Sequence, residues 1–173
     1  MMTDANRSAL RHWLSDVRES HDSVPSEGIE PCGVRWQRHA EGVLELTPAD
    51  ADQVTGTLDA RGGQRFDAIL SCGIHGDETA PIEIVDGILR DIADGRLTLR
   101  ERVLVVLGNP DAVRAGKRYL EYDLNRLFQG AHAKRAESPA VQRARELEVI
   151  VAQFFAETRD ARRLRRHVDM PTA

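Results

Sequence analysis

Two short apolar runs, Phe66 to Gly73 and Arg102 to Gly108, enclose a segment whose apolar residues recur with a different period. Ile82, Val85, Ile88, Leu89 and Ile92 fall on one face of a helix over Pro81 to Ala93, Pro81 suits a first helical turn, and Gly95 follows as a stop. Strand, helix, strand at this spacing is a βαβ unit. Its near-continuous apolar strands are those of a parallel sheet covered on both faces. The expected class is therefore α/β, with a mostly parallel or mixed sheet flanked by helices.

The rest of the chain supplies further elements. Ala9, Leu10, Trp13, Leu14 and Val17 predict an amphipathic helix over Ala5 to Arg18, expected as a peripheral cap before a loop containing Pro25, Gly28 and Pro31. Gly33 to Trp36 and Gly42 to Thr47 read as a strand pair. Ser138-Pro139 opens a long helix whose apolar face is drawn from Val141, Ala144, Leu147, Val149, Ile150, Val151, Phe154 and Phe155, and His167 to Met170 begins one more strand. The basic run Arg159 to Arg166 is expected as a solvated helix end. Residues 1–32 are expected to form an N-terminal helix and loop ahead of the remainder, 33–173; 173 residues suit a single core.

Charge and cysteine content bear on function by exclusion. With 24 basic against 28 acidic side chains the chain carries no excess suited to nucleic acid. No apolar run approaches the ~20 residues of a membrane span. Cys32 and Cys72 are expected to be free, buried thiols, and no secretory signal segment opens the chain, so a cytoplasmic location is expected. The sequence leaves room for a homo-oligomer.

The stretch Ser71 to Pro81, SCGIHGDETAP, places His75 and Glu78 where a strand hands over to a helix. In α/β sheets ligands collect outside the carboxyl ends of strands. Imidazole and carboxylate are both zinc ligands, and Gly76 is expected to allow the sharp bend that brings them to one ion. A hydrogen-bonded pair, or an acid favouring the positive end of the next helix, is the plainer alternative. The stretch Gly108 to Phe128 begins at the same sheet edge with the turn signal Asn109-Pro110, then presents Arg118, Asn125 and Arg126. These side chains suit carboxylates or a carbonyl oxygen, or else the arginines pair with Glu121 and Asp123 on a solvated loop.

Taken together, HGDETAP, GNPDAVRAGKRYLEYDLNRLF, the earlier GVRW and GVLELTP, and the helical RARELE resemble the N-terminal half of the succinylglutamate desuccinylase family. That family stands in the aspartoacylase-like branch of the zinc carboxypeptidase-fold enzymes. The resemblance implies that His75 and Glu78 bind zinc, that Arg118 polarises the scissile amide carbonyl, that Asn125 and Arg126 grip a carboxylate of a small acyl-amino-acid substrate, and that Asp123 orients its neighbours. It implies hydrolysis of N-succinylglutamate to succinate and glutamate in arginine breakdown.

The resemblance also has gaps. The family's third zinc ligand is a histidine in a strand motif D-L-H-T-A, and here the stretch HVDMPTA places Pro171 at that position. His167, four residues upstream at ~3.3 Å per residue, stands about 13 Å off and is expected as a strand-face histidine. The family's catalytic carboxylate belongs to the half of the fold not matched here, so the resemblance implies that 33–173 is a partial zinc-hydrolase catalytic domain and the chain a truncated form. Three readings follow: a zinc-dependent amide hydrolase in incomplete form, a catalytically defective remnant or interaction module, and a related deacylase with another acyl-amino acid.

Overall fold

Ser8 starts the first helix of the computed structural model, which describes residues 7–20, 25–49, 65–157 and 163–170. The Ser8 hydroxyl accepts a hydrogen bond from the Arg11 N–H, and α1 (Ala9–Glu19) runs to a left-handed residue, Ser20. The helix begins later than its periodicity suggests because the cap, not the apolar spacing, sets the first turn; Ala5 and Asn6 lie outside the described residues.

Three strands follow in an antiparallel meander: β1 (Glu27–Ile29), β2 (Arg35–Ala40) and β3 (Val43–Thr47). The expected strand pair is present, but its first member starts at Arg35. Gly33 sits in a turn with φ +87°, where its N–H donates to the Glu30 carbonyl. Cys32, expected to be buried, is exposed in the same turn region.

The βαβ unit comprises β4 (Phe66–Cys72), α2 (Thr79–Ala93) and β5 (Arg102–Leu107). Its strands pair in parallel from Asp67 opposite Arg102 to Cys72 opposite Leu107. Beyond β5 come a short helix α3 (Pro110–Ala115), the long helix α4 (Pro139–Ala156) capped by the Ser138 hydroxyl, and β6 (Leu164–Asp169), which pairs in parallel with the free side of β4. The order β1-β2-β3-β5-β4-β6 makes the six-stranded sheet mixed, with antiparallel joins from β1 to β5 and parallel joins around β4.

Both faces are covered over the central strands, while the edge strand β6 is exposed along its whole length. On one face, Leu10, Trp13 and Val17 of α1 join Ile82, Val85 and Leu89 of α2 against Leu44, Leu46, Val105 and Leu107. So α1 belongs to the core instead of capping it from outside. The Trp13 indole N–H donates to the Gly42 carbonyl at 3.1 Å, and the same carbonyl accepts the Leu107 N–H at 3.0 Å. On the other face, Val141, Ala144, Leu147, Ile150 and Phe154 of α4 pack on Val43, Ile69, Leu104 and Val106. Val149, expected on that apolar face, points outward and is half exposed.

The basic run near the C-terminus is not a helix end over its described part. α4 stops at Ala156, and Leu164 to Arg166 already belong to β6. Strand geometry gives these arginines partners. Arg163 donates to the Asp67 carboxylate and the Phe66 carbonyl, and Arg166 stacks over the Phe66 ring at 4.6 Å. Arg159 to Arg162 lie outside the described residues, as does Pro171.

Candidate active site

Cys72 and Leu107 end adjacent parallel strands in register, so the chain leaves both strands at one edge of the sheet. The two exits stay tied. Gly108 N–H donates to the Cys72 carbonyl at 2.9 Å, and Asn109 N–H to the Gly73 carbonyl at 2.8 Å. Asn109-Pro110, expected as a turn, opens α3 instead: the Asn109 side chain accepts from the Ala112 N–H at 3.1 Å, and Pro110 takes a position where its missing N–H costs nothing.

Gly76 has a different reason to be glycine from the bend expected of it. Its φ lies outside the left-handed region, and a Cβ there would fall 2.1 Å from the Ala112 carbonyl carbon and 2.2 Å from its oxygen. The loop bearing His75 therefore lies backbone to backbone on α3. A second tie joins Gly76 N–H to the Arg118 carbonyl at 3.2 Å.

His75 is buried between two acids. Its Nδ1 lies 2.9 Å from Glu78 Oε1, and its Nε2 lies 3.2 Å from Asp123 Oδ1. Glu78 occupies the N-cap position of α2 but makes no capping hydrogen bond, so its carboxylate serves His75 and not the helix end. Asp123 Oδ1 also accepts the Asn125 N–H at 3.1 Å, which caps the 3-10 turn Leu124–Arg126. Leu124 and Leu127 are fully buried and pin this turn to the α4 side of the core, leaving Asn125 and Arg126 exposed beside it.

A neutral imidazole has one N–H and can donate to only one of the two carboxylates. The second contact is met either by a proton, in the imidazolium that donates to both acids, or by a cation bound at that nitrogen. An imidazole nitrogen beside a carboxylate oxygen is a donor pair of the kind zinc takes. Nδ1 and Oε1 are 2.9 Å apart, within a few tenths of an ångström of the ~3.3 Å edge between two ligands of tetrahedral zinc. A carboxylate on the opposite nitrogen is the partner that metal-bound histidines ordinarily have. Among the described residues no three His, Cys, Asp or Glu side chains are grouped to hold one ion, since Asp123 addresses the far side of the ring.

Arg118 has Glu78 as its ion-pair partner, not Asp123 or Glu121: its Nη1 stands 3.8 Å from Glu78 Oε1, and its side chain is 55% exposed. His167 lies elsewhere on the sheet, with Nε2 2.8 Å from Ser71 Oγ; that hydroxyl also donates to Asp169 at 2.7 Å. Composition and spacing gave no signal for the part Ser71 plays in holding β6. Cys72 is chemically quiet, its thiol pushed up to about 12 by burial and then by the charge of Asp169. A cavity of about 330 Å³ is lined by Glu41, Asp111, Glu121 and Glu146 with Arg143 as its one cation, and by none of His75, Glu78, Arg118, Asp123, Asn125 or Arg126, so its acidic lining suits a dicarboxylate poorly.

Residues 65–173 match the model of the succinylglutamate desuccinylase/aspartoacylase catalytic domain. The chain belongs to this family. A succinylglutamate desuccinylase from Chromobacterium violaceum is 56% identical over 166 residues, 96% of this chain and 44% of that protein. One from Burkholderia pseudomallei is 47% identical over 98% of this chain and 47% of its own length. Among solved structures, succinylglutamate desuccinylase from C. violaceum superposes with a TM-score of 0.76 at 40% identity, over 99% of this chain and 46% of that one. The Vibrio cholerae enzyme gives 0.77 at 34% identity, over 93% and 44%. The chain thus spans about half the length of the desuccinylases it matches. The mixed six-stranded sheet flanked by helices is consistent with the carboxypeptidase-like architecture of the family. Among the described residues no helix is long and apolar enough to cross a membrane.

Proposed function

We propose that this chain carries the zinc- and carboxylate-binding part of an amide hydrolase that converts N-succinylglutamate and water to succinate and glutamate. The observation that carries the reading is the His75 ring held between Glu78 at 2.9 Å and Asp123 at 3.2 Å. The substrate rests on the names of relatives 47% and 56% identical to it.

In this reading His75 Nδ1 and Glu78 hold zinc, which when bound supplies a Lewis acid and an activated water. Asp123 accepts from His75 Nε2 and so leaves Nδ1 as the lone-pair nitrogen. Arg118 rests on a long contact to Glu78, so it can turn to an amide carbonyl without breaking a short hydrogen bond, and there it opposes the charge that develops on oxygen. Asn125 and Arg126, side by side on one exposed turn, receive a substrate carboxylate, for which a guanidinium fork is well shaped. None of these residues is assigned the proton-accepting carboxylate.

Pro171 favours a second reading, a folded relative with little turnover, because proline offers a metal no side-chain donor. One experiment separates the two. Zinc per chain and hydrolysis of N-succinylglutamate are measured on the chain and on His75→Ala. Zinc that depends on His75, with turnover, supports the hydrolase; zinc that depends on His75 without turnover supports the second reading; zinc retained by His75→Ala overturns the site.

A further inference from the structure

Arg143, on α4, has a nearly buried side chain whose three nitrogens are all engaged. Nε donates to the Gly108 carbonyl at 2.9 Å, Nη2 to the Leu107 and Glu41 carbonyls at 2.8 Å each, and Nη1 to the Glu146 carboxylate at 2.6 Å. Burial lowers its pKa from the ordinary value, with Glu146 opposing that shift. A guanidinium withdrawn from water and directed mainly at main-chain carbonyls holds backbone in place.

The backbone it holds is the junction of β5 and α3. Gly108 lies so close to the preceding loop that a Cβ would meet Ile74 Cδ1 at 2.5 Å and Ile74 Cα at 3.0 Å. A few residues on, the Ala112 carbonyl fills the space where Gly76 would carry a Cβ. Ile74 and Gly76 are the two chain neighbours of His75. The junction therefore flanks the histidine on both sides, and Arg143 clamps it at the end of the strand.

We propose that Arg143 is a positioning residue: by fixing the β5–α3 junction it sets the direction of the His75 ring toward Glu78. Its metal arm rests on the zinc reading above; its other arm does not. The test compares Arg143→Met, which keeps the stem and loses the donors, with Arg143→Lys and with Arg145→Met, a change at an exposed arginine paired to Glu137. The first readout is the ¹⁵N shifts of the His75 ring nitrogens in the folded proteins, which a merely stabilising residue would leave alone. The second is zinc affinity by calorimetry.

Arg143→Met is expected to move the His75 signals and to weaken zinc by roughly ten- to hundredfold, as loss of a supporting residue around a metal site does. Arg143→Lys should recover part of the affinity, and Arg145→Met should match the unaltered chain. A folded Arg143→Met with unchanged ring signals overturns the proposal. If that variant does not fold, Arg143→Gln takes its place, and unchanged ring signals in it do the same. Should the unaltered chain bind no zinc, the zinc reading fails while the ring signals still decide the role of Arg143.

Discussion

Gly76 and Ala112 meet backbone to backbone: a Cβ on the glycine would lie 2.1 Å from the alanine carbonyl carbon. Because the obstacle is main chain, it cannot move aside as the tip of a side chain would. Gly76→Ala is expected to destabilise the fold by about 1–3 kcal/mol, the usual range for overpacking, and to disturb His75 beside it. Chemical denaturation measures the first effect. An unchanged unfolding midpoint would mean that this loop and α3 are not in contact.

Asp123→Asn keeps the shape of the side chain but removes the charge facing His75 Nε2. Zinc affinity is expected to fall roughly ten- to hundredfold, while His75→Ala and Glu78→Gln remove binding almost entirely. Calorimetric titration ranks the three variants, and an Asp123→Asn protein that binds zinc like the parent removes the carboxylate from the site.

Arg126 and Arg118 should fail in different ways. Arg126→Ala is expected to weaken binding of N-succinylglutamate by about 1.5–3 kcal/mol, the range for a hydrogen bond to a charged group. Arg118→Ala should leave binding nearly intact and, wherever turnover is measurable, lower it by about 10²–10³-fold. Equal losses of binding in both variants would erase the division of roles.

The Cys72 thiol has its pKa raised from 9.0 to about 12, first by burial and then by Asp169. In the unfolded chain the thiol ionises near its ordinary value while the folded chain keeps it protonated. Its contribution to stability is thus complete below pH 9.0 and lost as the pH rises toward about 12. Over that window the unaltered protein is expected to lose more stability than Cys72→Ala, as read by denaturant midpoints. At about pH 8 a thiol reagent should modify exposed Cys32 and leave buried Cys72 alone until the chain unfolds.

Pro171→His supplies an imidazole where the family resemblance asks for one, and it is expected to raise zinc affinity. Titration of the two proteins side by side checks this, and equal affinities would mean that position 171 does not reach the ion.

The βαβ unit was readable because its strands and helix obey periods that differ, 2 or continuous against 3.6, and because Pro81 and Gly95 punctuate them. β6 was readable only in part: its first three residues, Leu164, Arg165 and Arg166, are exposed and read as charged surface, and what makes them strand is their pairing with Phe66, Asp67 and Ala68 of β4. For the site, the sequence order of His75, Glu78, Arg118, Asp123, Asn125 and Arg126 carried the resemblance, yet spacing could not say which acid takes which ring nitrogen. Gly76 shows the limit most plainly. A glycine required for a bend and one required for a close approach are the same letter, and only the neighbouring α3 distinguishes them.

The Gly42 carbonyl, shared by the Trp13 indole and the Leu107 amide, joins the first helix to the end of the strand that feeds the site. The fold thereby carries its own optical probe. Trp13 is shielded from water, and its emission should shift to the red when this edge of the sheet opens; replacing Trp36, the second indole, by phenylalanine would leave Trp13 as the sole indole emitter. Events at the strand ends would then be seen in the light of a residue on α1, without a label and without touching His75.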